Sequence, residues 1–228
     1  MKGIGTVVVL TLRALLRRRI TLVILVAMPL VFYLTQRDAV GRSVRALLFG
    51  LSWALATAAL FGVYSGRRLD PRLRLLGWSS RALAVGRLGG QLVVAAVLVV
   101  GFWTLVALDQ PVRSIAAVGV NLVVTALVAV ALGTAVGTVI DGELEGVLAV
   151  FFLAGIQAVV NPFDRVATFL PLWSSRELGT WAVDGPEVGS LGDGLAHAVV
   201  VVVACVAVAT IVPRLAGRPI RPPGRVDA

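Results

Sequence analysis

The chain has 228 residues and a formal net charge of +9, and 58% of its residues are hydrophobic, above the roughly 45 to 50% of soluble domains. This composition excludes an ordinary soluble domain and indicates an integral membrane protein. The positive charge could suggest a nucleic-acid-binding protein. However, the sequence has no soluble basic domain and no aromatic platform for bases, so we expect no nucleic-acid partner.

Residues 1–19 combine an apolar stripe with arginines at positions 13, 17, 18 and 19, and they predict an amphipathic helix lying in the membrane interface. Six runs without Asp, Glu, Lys or Arg follow, of 17 to 27 residues each, and a helical crossing needs about 20. The fold class is therefore all-α, a polytopic membrane protein with one six-helix transmembrane domain over residues 20–213. The predicted crossings are residues 20–36, with a kink at Pro29, then 46–66, 88–108, 114–140, 146–163 and 194–213.

Residues 67–87 form an arginine-rich connector between the second and third crossings. Pro71 can occupy the first turn of a helix, so we predict a short amphipathic helix there, with apolar and cationic faces. Two interpretations stay open. The connector is either a surface that docks on the membrane or on a protein, or a solvated loop whose arginines only set the orientation of the chain.

The segment 164–193 contains Val166–Trp173, an apolar stretch of about half a crossing. Such a stretch predicts an external re-entrant or interfacial hairpin rather than a seventh crossing. Asn161 and Pro162 should end the fifth crossing before it. Residues 214–228, rich in Arg and Pro, are predicted to be a cytoplasmic tail without regular structure.

Basic residues predict the orientation of the chain. With six crossings and the N-terminus inside, fifteen Lys and Arg residues fall on the cytoplasmic side and six on the other. The positive-inside rule therefore predicts that both termini are cytoplasmic and that residues 164–193 are external. Arg outnumbers Lys by twenty to one, as in G+C-rich bacteria, so the expected location is the bacterial cytoplasmic (inner) membrane.

Catalytic chemistry is not evident in the sequence. It contains no His/Asp/Glu cluster with metal spacing, no Ser/His/Asp set and no Gly-x-x-x-x-Gly-Lys-Ser/Thr loop for a nucleotide. His197 and Cys205 are predicted to be structural residues of the last crossing. We therefore expect no catalytic residue, metal site or cofactor in this chain, and any ATP that drives it must bind to a partner.

Small and polar residues inside the crossings predict helix packing. Gly133 and Gly137 have the spacing that lets two helices approach closely, and we expect them to pack within the chain rather than at a dimer seam. Interhelical hydrogen bonds are expected for Gln91, Asn121, Gln157 and Asn161. The tryptophans at positions 53, 103, 173 and 181 are expected near membrane boundaries.

The order of these parts resembles the ABC-2 type permeases of ATP-binding cassette exporters. The resemblance rests on the basic helix ending in Leu15-Leu16-Arg17-Arg18-Arg19, on Ala27-Met28-Pro29-Leu30 in the first crossing, and on the arginine-rich connector. Asn161-Pro162-Phe163 and Leu170-Pro171-Leu172-Trp173 resemble the start of that family's external hairpin. The resemblance covers nearly the whole chain. Its specificity lies in the order of the motifs, since none is an invariant signature.

The resemblance implies a permease subunit that pairs with a second permease, a copy or a paralogue, and with two ATPase subunits that bind ATP and Mg. In this family the ATPase contacts the N-terminal helix, the connector and the turn between the fourth and fifth crossings, here residues 4–19, 67–87 and 141–146. Trp78, an aromatic residue among leucines and arginines, is the expected anchor of that contact. The residues expected there are Arg17, Arg18, Arg72, Arg74, Leu75, Leu76, Trp78, Arg81, Glu143 and Glu145.

The family also implies a translocation path lined by the first, second and fifth crossings. An apolar path suits export of a hydrophobic or amphipathic substrate, although the substrate itself is not implied. The alternatives are a nucleotide-independent six-span facilitator or assembly factor, and a membrane-embedded enzyme. A neighbouring gene for an ATPase with a phosphate-binding loop and no crossings would favour the exporter.

Overall fold

The computed structural model describes residues 3–17, 19–160, 165–185 and 187–215, and within these ranges all regular structure is helical. The predicted all-α class is therefore confirmed. The predictions for Arg18, Asn161, Pro162 and most of the tail lie outside the described residues. A 3₁₀ turn covers Arg165–Phe169, and the α-helices are α1 (Ile4–Leu16), α2 (Arg19–Thr35), α3 (Val40–Leu75), α4 (Ser80–Asp109), α5 (Ile115–Val139), α6 (Glu143–Val159), α7 (Trp173–Val183) and α8 (Leu191–Leu215).

Within the described ranges, four helices, α3, α4, α5 and α8, are long and apolar enough to cross a membrane. These four confirm the membrane-helix character expected from composition. Helices α2 and α6 have 17 residues each, so each rises about 26 Å against a hydrocarbon core of about 30 Å. The count of six crossings therefore stays a prediction.

Helices α3 and α5 form the centre of the bundle and run parallel to each other. A side chain at Gly133 would collide with the backbone of Ala56, whose Cα would lie 2.8 Å from the new Cβ, and one at Gly137 would lie 3.3 Å from the Cα of Leu60. The predicted glycine pair therefore does pack within the chain. Because neither glycine has a side chain, the two helices approach closely, and Ala56 and Leu60 of α3 are buried.

The remaining long helices lie around this pair. Gln91 of α4 donates a hydrogen bond to the carbonyl of Ala59 (3.1 Å), which confirms its predicted role and sets α4 beside α3. Pro29 lies in the middle of α2, against Gly50 of α3. Helix α8 packs on α5 through Cys205, a buried apolar contact as predicted.

The helices have two common ends. The turn between α3 and α4 and the residues between α5 and α6 lie together at one end, because Tyr64 of α3 donates to the carbonyl of Gly142 (2.7 Å). We call this the tip end. The residues joining α2 to α3 and those following α4 lie at the other end, where Arg37 pairs with Asp109. We call this the α7 end because Asp184, which follows α7, pairs there with Arg45.

The prediction that residues 67–87 form a separate connector is wrong. Helix α3 continues without a break to Leu75, with Pro71 inside it rather than at the start of a new helix. Proline cannot donate to the carbonyl of Arg67 four residues earlier. The helix nevertheless continues there, and Asp70 beside the proline forms an ion pair with Arg87 of α4. The connector is therefore the end of α3, a turn over residues 76–79 and the start of α4.

Helix α7 packs deep against α5 through polar groups. Asn121 donates to the carbonyl of Ser175 (3.0 Å), and Thr125 donates to its hydroxyl (2.9 Å). The predicted interhelical role of Asn121 is confirmed. Gln157, in contrast, is buried and its side chain has no hydrogen-bond partner among the described residues. Trp53 lies well inside α3, and the centre of its ring is 4.6 Å from that of Phe151.

Candidate partner-binding surface at the α3–α4 tip

The turn between α3 and α4 is a compact helix stop followed at once by a helix start. Gly77 has a positive φ of +87°, and its N–H donates to the carbonyl of Arg74 (2.9 Å), while the N–H of Trp78 donates to that of Leu73 (3.1 Å). These two bonds form a Schellman motif, which satisfies the last carbonyls of a helix. The side chain of Ser79 then accepts from the N–H of Ala82 and caps α4. We call residues 72–81 the α3–α4 tip.

Two leucines at the α3–α4 tip have almost no contact with the protein. Leu75 is 89% exposed and Leu76 is 76% exposed. Arginines surround them, and none of these has an ion-pair partner among the described residues. The exposed arginines of the tip are Arg72, Arg74 and Arg81. An apolar centre with a cationic rim is the arrangement expected of a surface that binds an acidic protein partner.

Trp78, the expected anchor of the partner contact, is less exposed than the neighbouring Leu75 and Leu76. Its side chain is half-buried, and a methyl group at Gly3 would lie 3.3 Å from its ring atom Cζ3. Trp78 therefore packs against the beginning of α1 rather than pointing freely away from the protein. Its contact holds the N-terminal helix to the tip.

Helix α1 packs along α4 over a row of glycines. A side chain at Gly86 would lie 2.5 Å from the Cβ of Val7, and one at Gly90 would lie 2.8 Å from the Cγ2 of Thr11. The pair Gly86 and Gly90 has the same spacing as Gly133 and Gly137, so the same small-residue signal in the sequence also predicts this contact.

The structure separates Arg17 from the tip. Helix α1 has 13 residues and is therefore about 20 Å long. Because Gly3 lies against Trp78, Arg17 lies at the far end of α1, next to the start of α2. The ten residues expected to contact the ATPase therefore do not all lie at the α3–α4 tip. Arg18 lies outside the described residues.

The residues between α5 and α6 are tied to the last turns of α3. Arg67 donates to the carbonyls of Thr138 (2.8 Å) and Ile140 (3.1 Å) and forms an ion pair with Asp141 (3.0 Å). The Arg67 guanidinium therefore caps the C-terminus of α5, where unpaired carbonyls and the helix dipole attract a cation. No feature of the sequence singled out this arginine from its neighbours.

Both glutamates expected at the contact are exposed at this junction. Glu143 forms an ion pair with Arg68 of α3 (2.6 Å), and Glu145 folds back over Gly142. Arg68 and Arg72 are four residues apart, so they lie on one face of α3, and Leu75 and Leu76 follow on its next turn. The structure thus places Glu143 beside the face of α3 that carries Arg68 and Arg72 and that ends at the α3–α4 tip.

Polar groups at the α7 end are also paired between helices. Arg37 donates to Asp109, and this carboxylate raises the pKa of the Arg37 guanidinium above its usual value. Arg176 of α7 donates to the carbonyl of Val160 (3.2 Å), and burial lowers the pKa of its guanidinium. In the described part of the chain, no group of three or more His, Cys, Asp or Glu residues could hold a metal ion.

Comparison of the chain with protein-family models, with curated proteins and with solved structures gave no match. The resemblance to ABC-2 type permeases therefore depends on the residues themselves and on the order of their motifs.

Proposed function

We propose that this chain is the membrane-spanning permease subunit of an ATP-binding cassette exporter of the ABC-2 type. ATP and Mg bind to a separate ATPase subunit, and that subunit docks on the α3–α4 tip. The observation that carries this proposal is the pair Leu75 and Leu76, exposed at the end of a helical hairpin between arginines that have no ion-pair partner in the described part of the chain.

The position of the tip supports a partner outside the membrane. The run without charges in α4 begins at Leu88, so residues 80–87 extend the helix about 12 Å beyond it. Burying one exposed leucine contributes about 2 kcal/mol, so Leu75 and Leu76 together can form the centre of an interface. The unpaired arginines around them would steer an acidic partner to the surface.

The proposed topology has six crossings, with α2 and α6 as the first and fifth and with both termini in the cytoplasm. Exposed apolar side chains on α2 and α6 support membrane contact, including Ile20 and Phe152. Helix α7 supports the proposed external hairpin because its first residues, Ser174 and Ser175, are buried, whereas Asp184 after its end pairs with Arg45 near the start of α3.

An aromatic row supports the proposed path along the first, second and fifth crossings. The rings of Phe32 in α2 and Phe49 in α3 are 5.3 Å apart, and Trp53 lies between Phe49 and Phe151 of α6. Phe151 is half exposed. Such a row suits a hydrophobic or amphipathic substrate, and a second permease subunit would close its open side.

The deciding experiment removes the apolar centre of the tip. In the variant with Leu75→Ser and Leu76→Ser, we expect the chain to insert and to melt at the wild-type temperature because neither side chain contacts the core. It should no longer copurify with its ATPase subunit, nor stimulate ATP hydrolysis by that subunit.

Leu108→Ser is the matched control, because Leu108 is 85% exposed at the opposite end of α4. We expect this variant to retain the ATPase. If the ATPase binds the double variant as tightly as it binds the wild-type chain, the α3–α4 tip is not its docking site. A wild-type chain that retains no ATPase and still transports substrate would favour the nucleotide-independent facilitator.

A further inference from the structure

Three exposed arginines lie at the junction of α1 and α2. Arg13 and Arg17 are four residues apart and share one face of α1, and Arg19 is the first residue of α2. None of the three has an acidic partner among the described residues. We call Arg13, Arg17 and Arg19 the elbow arginines.

Exposed apolar side chains lie beside the elbow arginines. Leu16 is 63% exposed at the end of α1, and Ile20 is 78% exposed at the start of α2. The exposed apolar side chains continue along α2 through Val23 and Ile24. A molecule that covers this region must therefore present negative charge at one end and hydrocarbon along its length.

The elbow arginines lie where the charge-free run of the first crossing begins, because that run starts directly after Arg19. Helix α1 runs in the same direction as α4, with Thr11 against Gly90. Arg13 and Arg17 follow Thr11 along α1, so they lie beside the first turns of the charge-free run of α4, which starts at residue 88. Arginine side chains are long enough to reach from this depth to the lipid headgroups, whereas the α3–α4 tip lies outside them.

We propose that the elbow arginines bind the phosphate of an anionic phospholipid whose acyl chains lie along the exposed face of α2. Clusters of basic residues beside a membrane helix attract anionic headgroups, and guanidinium groups suit phosphate oxygens. The exposed leucine and isoleucine select a lipid over free phosphate. This inference goes beyond the proposed function, because it holds whether or not an ATPase docks on the tip.

The test uses the full chain in mixed micelles that contain equal amounts of phosphatidylglycerol and phosphatidylcholine, followed by measurement of the lipid retained after purification. The wild-type chain should retain phosphatidylglycerol preferentially and melt at a higher temperature in its presence. The variant R13Q/R17Q/R19Q should lose the preference, with an affinity about 100-fold lower for three missing charges.

Two matched variants keep the result interpretable. R72Q/R74Q/R81Q removes the same number of exposed arginines from the tip and should keep the preference, as should the charge-conserving R13K/R17K/R19K. The proposal is overturned if wild type shows no preference, if the elbow variant keeps it, or if the tip variant loses it equally. Displacement of phosphatidylglycerol by soluble glycerol phosphate would show a phosphate site and not a lipid site, which also overturns it.

Discussion

Gly77 is the residue on which the sharp return from α3 to α4 depends. Its φ of +87° lies in the left-handed region, where a side chain is strained, and its N–H closes one of the two bonds of the Schellman motif. The exposure of Leu75 and Leu76 follows from this stop, because one more helical turn would place them along α3 and not at its end.

Gly77→Ala should lower the free energy of unfolding by about 1 kcal/mol, because alanine in this conformation is strained. Thermal melting of the purified protein measures the change. Gly101→Ala is the control, since Gly101 lies inside α4 with open space around it, and the substitution there should stabilise slightly. Equal melting temperatures for the two variants would contradict the role of Gly77.

Trp78 shows how burial changes the expected role of a residue. The sequence places it among leucines and arginines and makes it the natural anchor for a partner. In the structure its ring covers Gly3, so Trp78→Ala would first loosen α1. The leucines beside it, which the sequence ranked lower, are the side chains with free surface.

At the scale of the helix, α3 is the element that joins the tip to the bundle. It is 36 residues long and continuous, and its last turns hold the C-terminus of α5 through Arg67, the residues before α6 through Tyr64, and α4 through Asp70. A force applied at Leu75 therefore reaches α4, α5 and α6 through direct contacts.

Arg67→Gln should loosen the junction between α5 and α6. It removes a cation from the end of α5 and two bonds to carbonyls, and hydrogen bonds to charged groups contribute about 1.5 to 3 kcal/mol each. Amide exchange at Ile140 and Gly146, whose N–H groups bond within this junction, should become about tenfold faster. Arg74→Gln should leave both rates unchanged, because Arg74 is exposed and forms no ion pair with any described residue.

Gly133→Ala should separate α3 from α5. The added Cβ would overlap the carbonyl of Ala56, which belongs to the backbone and cannot turn away, so overpacking of about 1 to 3 kcal/mol or more is expected. The melting temperature should fall clearly below that of Gly155→Ala, where no atom lies within 4 Å of the new side chain. A stable Gly133→Ala variant would mean that the two helices do not touch there.

At the scale of the whole molecule, the tip end has an excess of positive charge. Residues 67–87 and 141–145 contain six arginines and four acidic residues, whereas residues 37–45, 109–113 and 165–193 at the α7 end contain six arginines and six acidic residues. This distribution agrees with the cytoplasmic orientation proposed for the tip.

Cysteine labelling tests that orientation in a Cys205→Ala background. Ser80→Cys at the tip should react only after the membrane is opened, and Val188→Cys before α8 should react from outside. Both positions are exposed and neither caps a helix, unlike Ser79 and Ser190. Labelling of Ser80→Cys in intact cells would reverse the topology.

The sequence by itself determined the helical class, the apolar runs within the four long membrane helices and the packing of Gly133 and Gly137 within the chain. These depend on hydrophobic runs and residue spacing, which are local properties of the chain. The sequence also identified the arginine-rich stretch. However, it predicted a separate connector there, whereas α3 continues without a break to Leu75. Proline is a strong local signal for a helix boundary, whereas the ion pair of Asp70 with Arg87, which ties this part of α3 to α4, joins residues 17 apart.

Only the tertiary structure decided which side chains of that stretch are free. Arg67, Arg68 and Arg87 look like Arg72, Arg74 and Arg81 in the sequence. The first three are held by α5, Glu143 and Asp70, whereas the last three have no ion-pair partner among the residues that the structure describes. The structure likewise moved Arg17 away from the tip, because the direction of α1 is set by its packing on Gly86 and Gly90. Exposure and pairing depend on what other segments cover, and no local pattern contains that information.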